Sequence, residues 1–180
     1  MMVDDDILVR QFQKQDLQDY MAYAALPAVY GPALATPPTD AVSAARIISQ
    51  TTDNGRMYAV VLRHLDQVIG DVQLTENLGS PDDMLVGVMD LGYELHPDYW
   101  NHGYMTAALR QIVSLEFSLH EVQAIRAATL VDNQASAAVL AKLGFDNYVQ
   151  VKQHYPVVNG KFNVDISENL WEMKAANWHQ

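Results

Sequence analysis

Three short segments carry residue types that could do chemistry. The first is Tyr99-Trp100-Asn101-His102-Gly103-Tyr104, which leads into a helical run. Successive backbone N–H groups at a helix start attract anions, and a glycine lets the backbone come close to a phosphate. The second is Val131-Asp132-Asn133-Gln134-Ala135-Ser136, followed by Ala138, Val139, Leu143, Gly144 and Phe145. Taken alone it is a capped helix with an apolar face, with Asn133 as a cap and Ser136 in the first turn. The third is Asp90-Leu91-Gly92-Tyr93-Glu94-Leu95-His96-Pro97. Period-two alternation puts Asp90 and Glu94 on one face and Leu91, Tyr93 and Leu95 on the other. A carboxylate on a strand end beside an anion site can act as a general base, and the plain alternative is a solvated strand face. The dinucleotide fingerprint G-x-G-x-x-G and the P-loop are both absent.

These segments need elements to hold them. Ile7 to Phe12 reads as a strand, and Asp16 opens a helix through Leu17, Tyr20, Met21 and Ala24 that Pro27 ends. Pro27 to Pro38, with four prolines, reads as a shaped loop. Thr39 or Asp40 can cap a second helix through Val42, Ala45, Arg46 and Ile48. Met57 to Leu65 and Gln67 to Thr75 read as strands turned at Leu65-Asp66-Gln67, and Leu85 to Leu95 as a fourth strand. Met105, Ala108, Leu109, Ile112 and Val113 recur at helical spacing within Tyr104 to Leu119. Ala124 to Val131 is a buried strand. Asp132 or Asn133 caps a short helix that Gly144 stops. Tyr148 to Pro156 and Phe162 to Lys174 close the chain as strands around a Val158-Asn159-Gly160-Lys161 turn. Without repeats or linkers, residues 1–180 form one mixed α/β domain.

Composition narrows the partners. The chain has 180 residues, 49% hydrophobic and 18% charged, so it can build a real core. Eleven Lys plus Arg against 22 Asp plus Glu give a net charge of -11. That balance argues against nucleic acid and admits amines and basic peptides. There is no cysteine, which removes disulfides, thiolate nucleophiles and thiolate zinc sites. The six histidines show no close ligand spacing, so no metal is expected. The segment Tyr20 to Ala35 is broken by Pro27, Gly31 and Pro32, and a membrane span needs about 20 apolar residues. Met1-Met2-Val3-Asp4-Asp5-Asp6 is acidic where a signal peptide is basic, so the expected setting is the cytoplasm.

In this order the segments resemble the GNAT superfamily of acetyl-CoA-dependent N-acetyltransferases. The nearest branch is the Rim type, named for ribosomal-protein N-terminal acetylation. The resemblance runs through Gly92 to Trp100, Gly103 to Leu109, Asn133 to Ser136, Leu140 to Phe145 and Tyr155 to Lys161, and covers nearly the whole chain. It implies a twisted, mostly antiparallel central sheet, splayed between the fourth and fifth strands and flanked by helices. It implies that main-chain N–H groups of His102, Gly103, Tyr104, Met105 and Thr106 hold the CoA pyrophosphate. The pantetheine arm would lie against Leu95 and His96, Asn133 would hydrogen-bond it, and Ser136 would lie near the sulfur. Trp100 and Met105 depart from the family's turn pattern Q/R-x-x-G-x-G/A, and the bulk of Met105 is expected to alter how the turn closes on phosphate. Many relatives place a tyrosine acid where this chain has Leu140.

The implied reaction is direct attack of an amine on the acetyl thioester in a ternary complex. Glu94 would take the proton, with Asp90 the rival. N–H groups of the fourth strand would stabilise the oxyanion, and Ser136 would meet the leaving thiolate, with Tyr155 next in line. The acceptor is an amine-bearing small molecule, such as a polyamine or an aminoglycoside, or a protein N-terminus, and a homodimer is allowed. Two other classes fit the same residues: a non-catalytic acyl-CoA sensor, and an α/β nucleotide-binding module that uses the Gly103 turn.

Overall fold

Alternating apolar residues build one seven-stranded sheet. In this computed structural model, which describes residues 3–53, 55–77, 79–80, 83–84, 86–119, 122–158 and 161–179, its strands are β1 (Ile7–Gln11), β2 (Gly55–Leu62), β3 (Gln67–Glu76), β4 (Val88–Leu95), β5 (Ala124–Leu130), β6 (Asp146–Val158) and β7 (Lys161–Lys174). Their spatial order is β1-β2-β3-β4-β5-β7-β6. Every described neighbour pair is antiparallel except β4–β5, which is parallel. A two-residue ladder, Gly79–Ser80 with Asp83–Met84, lies outside the main sheet. The helices are α1 (Val3–Asp6), α2 (Leu17–Ala24), α3 (Pro27–Tyr30), α4 (Ala41–Asp53), α5 (Tyr104–Leu119) and α6 (Gln134–Lys142).

Each face of the sheet has its own core. On one face Val72, Leu74, Leu91 and Ile125 pack with Met105, Leu109, Ile112 and Val113 of α5 and Leu140 of α6. On the other, Met57, Ala59, Val61 and Val68 pack with Tyr20, Tyr23 and Ala24 of α2 and Ala44 of α4. Among the described residues no helix is long and apolar enough to cross a membrane.

Several boundaries differ from the sequence expectation, each for a local reason. The β2–β3 register ends at Leu62↔Gln67, so the turn is Arg63 to Asp66, with Asp66 at φ 49°. β4 starts at Val88, because Gly87 sits at φ 72° and breaks the extended run; Leu85 lies outside the described residues. Pro27 serves as the first residue of α3 inside the segment expected to be a loop. Asp40, not Thr39, caps α4: its Oδ1 accepts from Ser43 N at 2.7 Å. β6 runs through Pro156 because it is an edge strand, where a missing N–H costs no ladder bond. The Asn159-Gly160 turn lies outside the described residues.

Candidate active site

The site begins where β4 loses a neighbour. β4 pairs with β3 over seven residues, from Gly70↔Leu95 to Glu76↔Met89. It pairs with β5 only over Val88, Met89 and Asp90. Beyond Asp90 the two strands part. His96 N donates to Ile69 O at 2.8 Å, and Val88 O accepts from Asn77 N at 2.9 Å. Backbone groups of alternate residues point to opposite sides of a strand, so Tyr93 and Leu95 direct theirs away from β3, into the gap. The Leu95 carbonyl there accepts from the Trp100 indole at 2.7 Å, which leaves the Leu95 N–H facing the gap. Trp100 thus ties the turn to the end of β4. On the other side of β4, Gly70 lets β3 come close: a Cβ there would run into the Glu94 carbonyl.

Below the gap α5 starts. Gly103 has φ 86° and Asn101 φ 62°, a left-handed turn that glycine adopts without strain. The first intrahelical bond runs from Ala107 N to Gly103 O at 3.0 Å. The N–H groups of Tyr104, Met105 and Thr106 precede it and find no acceptor among the described residues, as at any open helix start. Met105 does not crowd them. Its side chain is buried in the core under the turn, so its bulk points away from the N–H cluster. The exposed His102 ring stacks on Tyr104 with centroids 5.5 Å apart.

Glu94 stands on the open part of β4, on the face covered by α2. Only 8% of it is exposed. Its carboxyl makes no hydrogen bond among the described residues. Directly across the ladder lies Asp71, which is wholly buried. Tyr23 OH donates to Asp71 Oδ2 at 2.7 Å, and Gln73 Nε2 donates to Oδ1 at 2.9 Å. Burial raises the pKa of Glu94, and the neighbouring Asp71 raises it further. Burial also raises Asp71, against the two hydrogen bonds that favour its charged form. Like charges this close titrate as a pair. Burial and the Asp71 charge push the Tyr23 hydroxyl well up, so it stays a donor. Asp90 shares the face of Glu94 but is exposed and accepts from Asn77 Nδ2 at 2.9 Å.

A second cluster crosses the gap from the other face. The Ser136 hydroxyl lies 2.6 Å from Tyr93 OH, and Tyr93 OH also reaches Ser136 O at 3.1 Å. Burial pushes Tyr93 up to about 12, so the phenol is a protonated donor at neutral pH. Asn133 caps α6: its Oδ1 accepts from Ser136 N at 3.1 Å. Its Nδ2 has no partner among the described residues. Leu140 is fully buried in the core. Tyr155 lies elsewhere, on β6, where its OH donates to Glu168 Oε2 at 2.9 Å. Leu95, His96 and Thr106 are partly exposed around the gap and the α5 start.

Sequence reasoning missed Asp71, Tyr23 and the hydroxyl of Tyr93. Asp71 had a signal: it is a lone carboxylate inside the apolar run Val68 to Leu74. Tyr93 was placed on the apolar face, and its ring is there, but its hydroxyl ends on Ser136.

A model of the acetyltransferase (GNAT) domain matches residues 6–146, and the chain belongs to that family. One curated relative, "Uncharacterized N-acetyltransferase YoaA" of Bacillus subtilis (strain 168), is 32% identical over 65 residues, which is 36% of this chain and 37% of that protein. The match thus spans little more than a third of that relative's length. Among solved structures, the ribosomal-protein-S5-alanine acetyltransferase of Vibrio fischeri is 21% identical, with TM-score 0.74 and coverage of 97% of this chain and 96% of that one. The spermidine N-acetyltransferase of Vibrio cholerae, in complex with CoA and spermine, is 12% identical, with TM-score 0.79 and coverage of 96% and 98%. At these identities the likeness is one of fold.

Proposed function

We propose that this chain, as a single domain acting in the cytoplasm, moves the acetyl group of acetyl-CoA to a primary amine of a small molecule or a protein N-terminus. The observation that carries this reading is Glu94: a buried carboxyl with no hydrogen bond among the described residues, on the open edge of the β4–β5 gap. The residues present fit acetyl-CoA. The N–H groups of Tyr104, Met105 and Thr106, with those of His102 and Gly103 beside them, form an anion cradle for its pyrophosphate. Leu95, His96 and Asn133 line the way from that cradle toward Glu94. Bound acetyl-CoA would supply an activated thioester.

The chain's own groups then divide the work. Glu94 accepts the proton of the attacking amine. Its raised pKa makes it a stronger base than an ordinary carboxylate, and brings its working range closer to neutrality. Asp71, held by Tyr23 and Gln73, positions and tunes Glu94 without touching the reacting atoms. The Leu95 N–H donates to the oxygen that gains negative charge. The Tyr93–Ser136 hydroxyl pair would supply a proton to the leaving thiolate, with Ser136 as the donor and Tyr93 hydrogen-bonded to it. The Rim-type branch agrees with the sequence segments, and a protein N-terminus with its α-amino pKa near 8 asks less of the base than a lysine near 10.4.

Two measurements test the reading. Acetyl-CoA should raise the melting temperature, since a ligand at 100 times its Kd stabilises by about 2.7 kcal/mol. Free thiol should then appear when primary amines are added. No shift at millimolar acetyl-CoA, with no thiol release across an amine panel, would remove the assignment.

A further inference from the structure

A cleft of ≈ 450 Å³ opens on the Glu94 face of the sheet, just beyond the point where β4 and β5 part. Asp90 and Arg126 stand on one side, Tyr155 and Glu168 on the other, and Tyr148 and Leu170 form apolar wall. The volume lies in the range of small-molecule sites, about 300–1,000 Å³. Its charge is one-sided. Arg126 is already bound to Glu172, Nε to Oε1 at 3.0 Å. Asp90 and Glu168 have no cationic partner among the described residues.

Glu168 is the unusual member. It is 6% exposed, and its described partner is a neutral one, the Tyr155 hydroxyl on Oε2. A carboxylate offers about four acceptor positions, and a buried one that accepts a single neutral hydrogen bond is far from satisfied. An ammonium group in the cleft would supply the missing donors and the missing charge.

Register places Glu168 relative to Glu94. β4 and β5 are parallel at Asp90↔Arg126, so four residues on, Glu94 stands level with Leu130. Leu130 pairs with Glu168 on β7. The two residues therefore stand level on the same face of the sheet, two strand spacings apart, roughly 10 Å, plus the splay. With a hydrogen bond of about 2.8 Å at each end, a straight chain of about four to six carbons fits between them.

We propose that the acceptor is an aliphatic diamine, one amine reacting beside Glu94 while the other, still protonated, is held by Glu168 with Asp90 adding to the field. This rests on the acetyl-transfer reading given above. Tyr148, Tyr155 and Leu170 pack the methylene chain. A peptide N-terminus followed by a basic side chain has a similar charge spacing, but a cleft of ≈ 450 Å³ favours the smaller free diamine.

The test compares 1,5-diaminopentane with 1-aminopentane, which differ only in the second amine. With acetyl-CoA saturating, kcat/KM for the diamine should exceed that for the monoamine at least tenfold. In Glu168→Gln, which keeps an acceptor for Tyr155 and whose folding a melting curve checks, that ratio should fall close to one. Asp90→Asn should lower the ratio less. Calorimetry of the diamine into the protein with CoA present separates the two claims. Glu168-dependent diamine binding without acetylation of any amine would uphold the cleft and remove the catalytic reading. Equal kcat/KM for the two amines, or an unchanged ratio in Glu168→Gln, would overturn the diamine proposal. So would turnover of peptide N-termini with no diamine binding.

Discussion

Glu94 and Glu116 are both buried carboxylates, and the chain treats them in opposite ways. Glu116, on α5, is wholly buried and meets Arg56 Nη1 at 2.5 Å and Tyr58 OH at 3.3 Å. A cation and a hydroxyl converge on it. Glu94 meets no cation among the described residues, and its cross-strand neighbour is Asp71, a second carboxylate. An isolated buried charge costs several kcal/mol unless it is paired, so cores that need a carboxylate normally supply the pair. The Glu116 cluster is what structural burial looks like. Glu94 departs from it at the point where β4 opens, and that departure supports its proposed role as a base.

The comparison can be broken from either side. The largest effect is expected in Glu94→Gln: kcat/KM for the amine should fall by about 10²–10⁴, as for loss of a general base. Stability should move the other way. Because the folded pKa of Glu94 is raised, the folded chain holds more protons than the unfolded chain between the ordinary carboxylate range and the raised value. The parent's stability therefore falls as pH rises through that window, and Gln removes the loss. Melting curves from pH 5 to pH 9 should show the variant gaining on the parent as pH rises.

Arg56→Met should do the reverse. It takes the Arg56 cation away from the buried Glu116 carboxylate and should cost about 3 kcal/mol, or a drop of roughly 6–12 °C in melting temperature for a chain of this size. Activity per folded molecule should stay near the parent's, which thiol release at low temperature would check.

Smaller effects sharpen the Glu94 side. Burial holds Glu94 up most, and Asp71→Asn removes the negative charge that adds to it, so Glu94 should ionise at lower pH and the acid limb of the rate profile should shift downward. Relative activity at pH 6 should rise severalfold, a change that a merely structural Asp71 would not give. Ser136→Ala should lower kcat by about 5–10-fold, the worth of a hydrogen bond of ~1 kcal/mol, with acetyl-CoA affinity nearly unchanged. Stopped assays at saturating acetyl-CoA would separate kcat from KM.

Much of this arrangement could be read from local pattern. Period-two alternation gave the face of Glu94, and Gly103 before an apolar helix gave the helix start with its open N–H groups, because both depend on residues close in sequence. What alternation cannot give is which residue lies across the ladder. Asp90 and Glu94 look alike on one strand, and only the β3 register, with Asp71 opposite one and Thr75 opposite the other, separates a buried carboxyl from an exposed one. Tyr93 shows the same limit: its ring was legible as apolar, but its partner Ser136 lies 43 residues on. Met105 shows another. As a letter in a pattern it looked obstructive, and only the helix's orientation shows that its side chain goes into the core.

The most direct test is the slope of the acid limb in kcat/KM for the amine. Below the amine's own pKa the reaction needs a free amine, which by itself gives log(kcat/KM) a slope of about one against pH; a base that must also be ionised adds a second proton and a slope approaching two. The parent should show the steeper limb, with Glu94→Gln slower and reduced to the shallower one. The same slope in both proteins would mean that Glu94 does not carry the proton.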